Sequence, residues 1–175
     1  ISKKHNLKVI YDAAHAFGVK YNGKTVADFG DLSMFSFHAT KVFHTVEGGC
    51  LTYKDKSLED KLIRLRAFGM EGQETVSTIG TNAKMTEFHA AMGLCNLRHI
   101  QEEFEKRKII VEEYNKMLQG VKGIKVNIVQ KNTESNYAYY PVLFDKEKFG
   151  KTRDEIAELL EKNNLDAALV YYDEL

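Results

Sequence analysis

The sequence contains no tryptophan, a single proline and only two cysteines, and its charges of opposite sign balance. Cys50 and Cys95 are too few for a disulfide framework and are typical of a reducing compartment, so we expect a cytoplasmic protein. Lys plus Arg and Asp plus Glu both number 25, and the zero net charge argues against bulk binding to nucleic acid. No apolar run approaches the roughly 18 residues that span a bilayer, so no membrane helix is expected.

The remaining composition, 43% hydrophobic and 29% charged over 175 residues, is that of a globular domain. Predicted strands cover 8–11, 33–37 and 49–53, predicted helices cover 57–68 and about 86–118, and 71–80 is a predicted loop. Gly93 marks an expected weak point that divides the longer pattern into two helices. Alternating helices and strands predict an α/β fold.

The pattern changes near residue 121. A strand with one polar face is predicted over 124–129, a second strand over 138–144 and a last strand over 165–172, with Pro141 at an edge or bulge. Thr152 and Glu155 form a capping-box signature before a further helix. We therefore predict a large α/β domain over 1–120 and the beginning of a smaller α+β domain over 121–175. The first residues already read as the last turns of a helix, which indicates an internal part of a longer protein.

The first predicted strand is followed directly by two side chains that can bind a ligand or transfer a proton, Asp12 and His15. In α/β sheets, ligands bind at the carboxyl ends of the strands, so these residues fall where a site is expected. Ala13 and Ala14 would allow a flat ligand to approach the backbone. A solvated aspartate at a strand-to-loop junction is the simpler alternative.

The second predicted strand leads into Ser36 and Lys41. Phe37 and Phe43 surround the lysine with apolar groups, and desolvation favours the neutral, nucleophilic form of an amine. Gly48-Gly49 permits positive φ or close packing beside it. The alternative is a surface lysine in an ordinary loop.

A third segment, 80–87, is a loop that feeds a helix. Asn82 and the backbone N–H groups near the helix N-terminus could bind an anion, or Asn82 could be an ordinary N-cap. The scattered histidines show no His-x-x-x-His spacing, which disfavours a metal site. Ser36 with His38 lacks the Gly-x-Ser-x-Gly elbow of a hydrolase.

Together these segments resemble the DegT/DnrJ/EryC1/StrS family of sugar aminotransferases, which depend on pyridoxal phosphate and have fold type I. The resemblance is carried by VIYDAAHAFG at 9–18, FSFHATK at 35–41 with EGG at 47–49, GTNAKM at 80–85 and AAMGL at 90–94. The interval of 29 residues from Asp12 to Lys41 also fits the family. It implies part of the large cofactor-binding domain followed by the start of the small domain.

The resemblance also implies roles for individual residues. Lys41 would be the covalent anchor of pyridoxal phosphate, and Asp12 would lie against its pyridinium nitrogen. Ser36 would bind the phosphate, and His15, where many members have Gln, would lie near the ring. Asn82 would reach the phosphate bound by the other subunit of a homodimer.

Two further departures from the family pattern are Val46 in place of a frequent Gly and Lys84 in place of the usual Arg. Relatives that dehydrate sugars carry His at the position of Lys41, so Lys41 points to amino transfer. The implied activity moves an amino group from glutamate to a 3- or 4-keto group of a nucleotide-linked deoxysugar, for polysaccharide or related glycan biosynthesis. An aminocyclitol precursor as acceptor, a regulatory protein that binds the cofactor without turnover, and a plain structural domain are the alternatives.

Overall fold

The computed structural model describes residues 1–165. Contacts divide these residues into two units, one of 1–108 with 130–138 and one of 109–129 with the residues from 139 onward. The boundary therefore falls inside a helix, and a later segment of the chain belongs to the first unit. The assignment of 1–120 and 121–175 to two domains of a whole protein stays a prediction. The strand predicted over 165–172 lies outside the described residues, apart from residue 165.

The helices of the described chain are α1 (Ser2–His5), α2 (Glu59–Arg66), α3 (Glu87–Leu97), α4 (Ile100–Leu118), α5 (Lys146–Phe149) and α6 (Arg153–Lys162). The strands are β1 (Ile10–Asp12), β2 (Lys20–Tyr21), β3 (Lys24–Thr25), β4 (Leu32–Ser36), β5 (Gly49–Tyr53), β6 (Met70–Glu71), β7 (Thr75–Val76), β8 (Ile124–Val126), β9 (Thr133–Glu134) and β10 (Val142–Phe144). No helix among these combines the length and the apolar character that crossing a bilayer requires.

The first unit is built around a sheet with the strand order β1-β4-β5. β1 runs parallel to β4, with Asp12 opposite Met34, and β5 runs antiparallel to β4, with Gly49 opposite Ser36. A crossover between parallel strands in a helix-containing chain confirms the predicted α/β fold. Asp31, just before β4, binds the backbone just before β1, because its carboxylate accepts a 2.8 Å hydrogen bond from the Val9 N–H. This hydrogen bond lowers the pKa of Asp31.

The core lies on one face of β4. Ser33, Phe35 and Phe37 alternate inward along this strand and its continuation, as the period of two requires. Phe17 stacks on Phe43 at 4.3 Å between ring centroids, and Phe37 meets Phe43 edge-on at 4.8 Å. This aromatic cluster packs the loop after β1 against the loop after β4.

The helical pattern that begins at Thr86 forms two helices, as expected, but the break lies at Arg98 and His99, so its predicted place at Gly93 is wrong. Gly93 is buried inside α3, and a Cβ there would lie 2.8 Å from Cγ2 of Thr45. The glycine therefore serves close packing of α3 against the loop after β4. Tertiary contact overrides its low helix propensity.

The predicted loop over 71–80 is partly wrong, because Met70–Glu71 and Thr75–Val76 pair as an antiparallel hairpin. The hairpin turns at Gly72, whose φ of 75° favours glycine. An ion pair of 3.5 Å between Arg64 on α2 and Glu71 joins the hairpin to the preceding helix. These two-residue strands are too short for a period to mark them in the sequence.

A strap formed by residues 130–138 returns to the first unit. Its strand β9 adds to the hairpin β2–β3, with Glu134 opposite Lys20 and an ion pair of 2.9 Å between their side chains. Asn132 donates a 3.0 Å hydrogen bond to Oδ1 of Asn22, in the turn of that hairpin. The strap is absent from the sequence-based prediction.

The second unit contains the antiparallel pair β8–β10, with Val126 opposite Val142. Pro141 lies immediately before β10, so the strand is shorter than predicted and the proline takes no ladder position. The predicted capping box is confirmed, since Thr152 and Glu155 bond each other's backbone N–H groups at the start of α6.

Candidate functional site

The loop after β1 turns sharply at Asp12. Its carboxylate oxygen Oδ1 accepts a 3.1 Å hydrogen bond from the Ala14 N–H, which closes a local turn. Ala13 is 3% exposed and anchors the turn in the core, while Asp12 itself is exposed. The sequence thus places a carboxylate at the open carboxyl end of a strand.

The loop after β4 is closed on itself by backbone hydrogen bonds. The Phe37 N–H donates to the Gly48 carbonyl at 2.8 Å, and the Thr45 N–H donates to the Phe37 carbonyl at 2.9 Å. Within this frame, the Lys41 N–H donates to the His38 carbonyl at 2.9 Å. The turn holds the backbone of Lys41 and leaves its side chain half-buried.

The two loops meet through Lys41 and His15. The lysine Nζ lies 2.7 Å from Nε2 of the imidazole, although the residues are 26 positions apart. A protonated amine can only donate, so Nε2 accepts in that state. An exposed imidazole beside a half-buried amine, at the carboxyl edge of a parallel strand pair, can hold that amine in one orientation.

Close packing beneath Lys41 requires the glycine pair. Thr45 is 3% exposed, and its hydroxyl donates a 2.6 Å hydrogen bond to the Glu47 carbonyl. A Cβ on Gly48 would collide with this hydroxyl, and one on Gly49 would lie 2.7 Å from the Phe35 carbonyl oxygen. The glycines therefore allow the backbone after the lysine to return against β4.

His38 lies in the loop after β4 and contacts two other side chains of that loop. Its Nδ1 lies 2.9 Å from the Thr40 hydroxyl, and its Nε2 lies 3.6 Å from Oε1 of Glu47. The Ser36 hydroxyl accepts a 3.3 Å hydrogen bond from the His38 backbone N–H, so serine and imidazole do not form a nucleophile–base pair. Burial raises the pKa of the Cys50 thiol, which keeps this neighbouring side chain in its unreactive form.

Ser36 also lines a groove of about 800 Å³ that runs along β5. The groove is bordered by α2 and by the segment leading into α3, including Ala83, Lys84 and Met85. Lys41, Asp12 and His15 are not part of its wall. The structure thus brings Lys41 and His15 into contact and places Ser36 at the border between their loops and this groove.

Asn82 lies on a loop bound to the end of α2. The Thr81 and Ala83 N–H groups, on either side of it, donate to the carbonyls of Leu65 and Arg66 at 2.7 and 2.9 Å. The N-cap of α3 is Thr86, whose hydroxyl accepts from the His89 N–H. The interpretation of Asn82 as an N-cap is therefore wrong, and its side chain is presented by an exposed loop. In that loop, Lys84 lies 5.0 Å over the ring of Phe68.

Val46 has a φ of 68° in the loop after Lys41, a conformation that disfavours a β-branched residue. We expect Val46→Gly to raise the free energy of unfolding of the full-length protein by about 1 kcal/mol, because relief of strain exceeds the backbone entropy that glycine loses on folding. Val46→Ala keeps a Cβ and should give no comparable gain. Denaturant midpoints of the three proteins test this, and equal gains for Gly and Ala would contradict the strain.

Sequence reasoning missed two polar side chains behind these loops. Asn96 on α3 donates a 2.8 Å hydrogen bond to the His44 carbonyl in the loop after β4. Asn136 on the strap is 3% exposed and donates to the carbonyls of His15 and Phe17, at 2.9 Å each. Neither has a local sequence signal, because its partner lies 52 or about 120 residues away.

The lysine and the aspartate thus follow two parallel strands of an α/β sheet, at the edge where such sheets bind their ligands. Residues 1–175 match the model of the DegT/DnrJ/EryC1/StrS aminotransferase family. The chain belongs to this family, and the resemblance noted from the sequence is confirmed.

Individual relatives agree with this assignment. The chain is 41% identical over 172 residues to dTDP-4-amino-4,6-dideoxy-D-glucose transaminase of Shigella dysenteriae. The aligned region covers 98% of this chain and 47% of that protein. It superimposes with a TM-score of 0.85 on Helicobacter pylori PseC, an aminotransferase of pseudaminic acid biosynthesis, at 30% identity over 93% of this chain and 44% of the other. A Streptococcus pneumoniae protein of the sugar aminotransferase type, in its PLP form, superimposes with a TM-score of 0.80 at 28% identity. The match covers 94% of this chain and 44% of that chain. The chain thus spans about half the length of the relatives it matches.

Proposed function

We propose that the protein is a pyridoxal-phosphate-dependent aminotransferase that moves an amino group from glutamate to a keto group of a nucleotide-linked deoxysugar. The contact of 2.7 Å between Lys41 and His15, at the carboxyl edge of β1 and β4, carries the proposal. The Shigella relative, whose name specifies a dTDP-linked amino sugar, supports the substrate class.

The residues present fit pyridoxal phosphate. An amine, a carboxylate and a hydroxyl, from Lys41, Asp12 and Ser36, all follow or end strands at one edge of the sheet. When bound, the cofactor supplies an electron sink that stabilises negative charge on the carbon losing a proton. The small side chains of Ala13 and Ala14 leave room beside the backbone.

The four side chains would have different roles. Lys41 would hold the cofactor covalently and later carry a proton between two carbons, because one amine can act first as base and then as acid. Asp12 would keep a proton on the ring nitrogen, and Ser36 would donate its hydroxyl to the phosphate. His15 would orient the lysine amine through the contact at Nε2.

The full-length protein tests this proposal directly. Incubated with glutamate and a panel of nucleotide-linked keto sugars, it should form 2-oxoglutarate and an amino sugar in equal amounts, which mass spectrometry can quantify. Amination of an aminocyclitol precursor alone would move the proposal to another acceptor. A bound yellow cofactor with no turnover on any acceptor would favour a regulatory protein.

We also propose that two copies of the protein share their sites as a homodimer, with Asn82 of each copy at the phosphate of the other. The exposed loop position of Asn82 supports this. One face of the neighbouring helix α3 is apolar and open, with Phe88 88% and Met92 39% exposed in the described chain. Such a face on a soluble helix is typical of a surface covered by a partner.

Mixing two inactive variants of the full-length protein should restore activity if the sites are shared. In mixed dimers of Lys41→Ala and Asn82→Asp, both defects fall in one site, so the other site is intact and about a quarter of the wild-type activity returns. The matched control mixes Lys41→Ala with Asp12→Asn, two residues of one chain's own site, and should recover nothing. Verified subunit exchange without recovery in the first mixture would exclude the shared site.

A further inference from the structure

We propose that Asn136 is a positioning residue, whose buried amide fixes the backbone that presents His15 to the amino group of Lys41. The inference rests on the proposed function, and it assigns a task to the strap of residues 130–138. It concerns a residue that touches neither reacting group and acts through a neighbour.

The amide of Asn136 is fully engaged with backbone. Its Nδ2 donates to the carbonyl oxygens of His15 and Phe17, each at 2.9 Å, and its Oδ1 accepts from the Ala138 N–H at 3.1 Å. The side chain is 3% exposed, so water does not replace these bonds. A buried amide with both donors used on one loop is a specific clamp on that loop.

The clamped loop also has local backbone hydrogen bonds of its own. The Ala16 N–H donates to the Ala13 carbonyl at 2.9 Å, and the Val19 N–H donates to the Ala16 carbonyl at 3.1 Å. The carbonyls of His15 and Phe17 lie beyond the end of β1, where the sheet gives them no partner strand. Asn136 therefore supplies the partners that a neighbouring strand would supply elsewhere.

Both clamped residues lead directly to the lysine. The His15 imidazole lies 2.7 Å from Lys41 Nζ, and the Phe17 ring stacks on Phe43, which follows the lysine by two positions. A displacement of this backbone therefore lengthens the contact between imidazole and amine. A hydrogen bond weakens steeply when its distance and angle leave the optimal range.

The strap does not depend on Asn136 for its own attachment. The ion pair of Lys20 with Glu134 and the hydrogen bond of Asn132 to Asn22 join it to the hairpin β2–β3. These contacts fix the strap as a platform on the first unit. The amide of Asn136 acts from this platform on the loop, so its loss should disturb the loop more than the strap.

The test compares two amide side chains of the same strap, Asn136 and Gln130, in the full-length protein before the cofactor is loaded. Asn136→Asp replaces the amide donors by a carboxylate that faces two carbonyl oxygens. Gln130→Glu makes the same amide-to-carboxylate change at an exposed position of the strap. Trace acetylation followed by mass spectrometry measures the reactivity of Lys41 relative to the exposed Lys24. If Asn136→Asp does not fold, as judged by circular dichroism, Asn136→Ser replaces it.

Asn136→Asp and His15→Ala should each raise the acetylation rate of Lys41 by about two- to tenfold, the range set by one lost hydrogen bond to the amine. Their combination should give no further increase, because both act through the same contact. Gln130→Glu should leave the rate unchanged. A wild-type rate in the Asn136 variants, or multiplying effects in the double variant, overturns the proposal. Attachment of pyridoxal phosphate to another lysine would refute the proposed function alone, because the acetylation comparison does not depend on it.

Discussion

Lys41→Ala should abolish amino transfer in the full-length protein, with kcat lower by on the order of 10⁴-fold or more. One amine is expected both to hold the cofactor and to move the proton, so no other group replaces it. Borohydride reduction of the wild-type holoenzyme, digestion and peptide mapping should place the cofactor on Lys41. Label on a different lysine would refute the assignment.

A second variant tests whether the amine of Lys41 or only its positive charge is required, and a third variant is the control. Lys41→Arg keeps a cation that can donate to His15 and should be as inactive as Lys41→Ala, because guanidinium stays protonated and cannot attack a carbonyl. Lys24→Ala removes an exposed lysine of the hairpin β2–β3 and should keep wild-type turnover. Substantial activity in Lys41→Arg would show that the positive charge, and not the amine, is required.

Asp12→Asn should lower kcat by on the order of 10²-fold or more, by analogy with other preorganised electrostatic groups. The Asn Oδ1 can still accept the bond from the Ala14 N–H, so the turn after β1 is preserved while the negative charge is lost. Without that charge, the ring nitrogen loses its proton and the cofactor is a weaker electron sink. The variant should still bind the cofactor, as its visible absorbance will show.

A matched control exists at Asp55. Its Oδ1 accepts a 3.0 Å hydrogen bond from the Ser57 N–H, the same turn geometry as at Asp12, outside the proposed site. Asp55→Asn should leave kcat unchanged. Near-normal turnover in Asp12→Asn, or an equal loss in both variants, would remove the special role of the Asp12 charge.

The sequence could predict those parts of the fold whose signals are local. β5 has the predicted bounds, and β1 and β4 lie within two residues of theirs. In β4 the buried residues alternate along the strand, which is the local signal that a period of two reports. The motif around Lys41 likewise combines residues close in sequence. The contact of its amine with His15 required the fold to place two strand ends side by side.

The features that could not be predicted depend on distant partners. Gly93 reads as a helix weak point until Thr45 is known to pack against it. Asn136 reads as an ordinary loop asparagine, since its partners lie about 120 residues earlier. The hairpin β2–β3 differs, because it was also missed although Asn22-Gly23 is a recognised turn signal that could have predicted it.

The strap has a consequence for how the chain matures during synthesis. The strands of the sheet β1-β4-β5 all lie within residues 10–53, whereas the clamp on the His15 backbone exists only once residue 136 has left the ribosome. Contacts of such long sequence separation form late, because closing the loop costs entropy before the contact stabilises it. The lysine and its imidazole partner are therefore expected to be aligned in one of the last folding steps of the first unit, after its core has already formed.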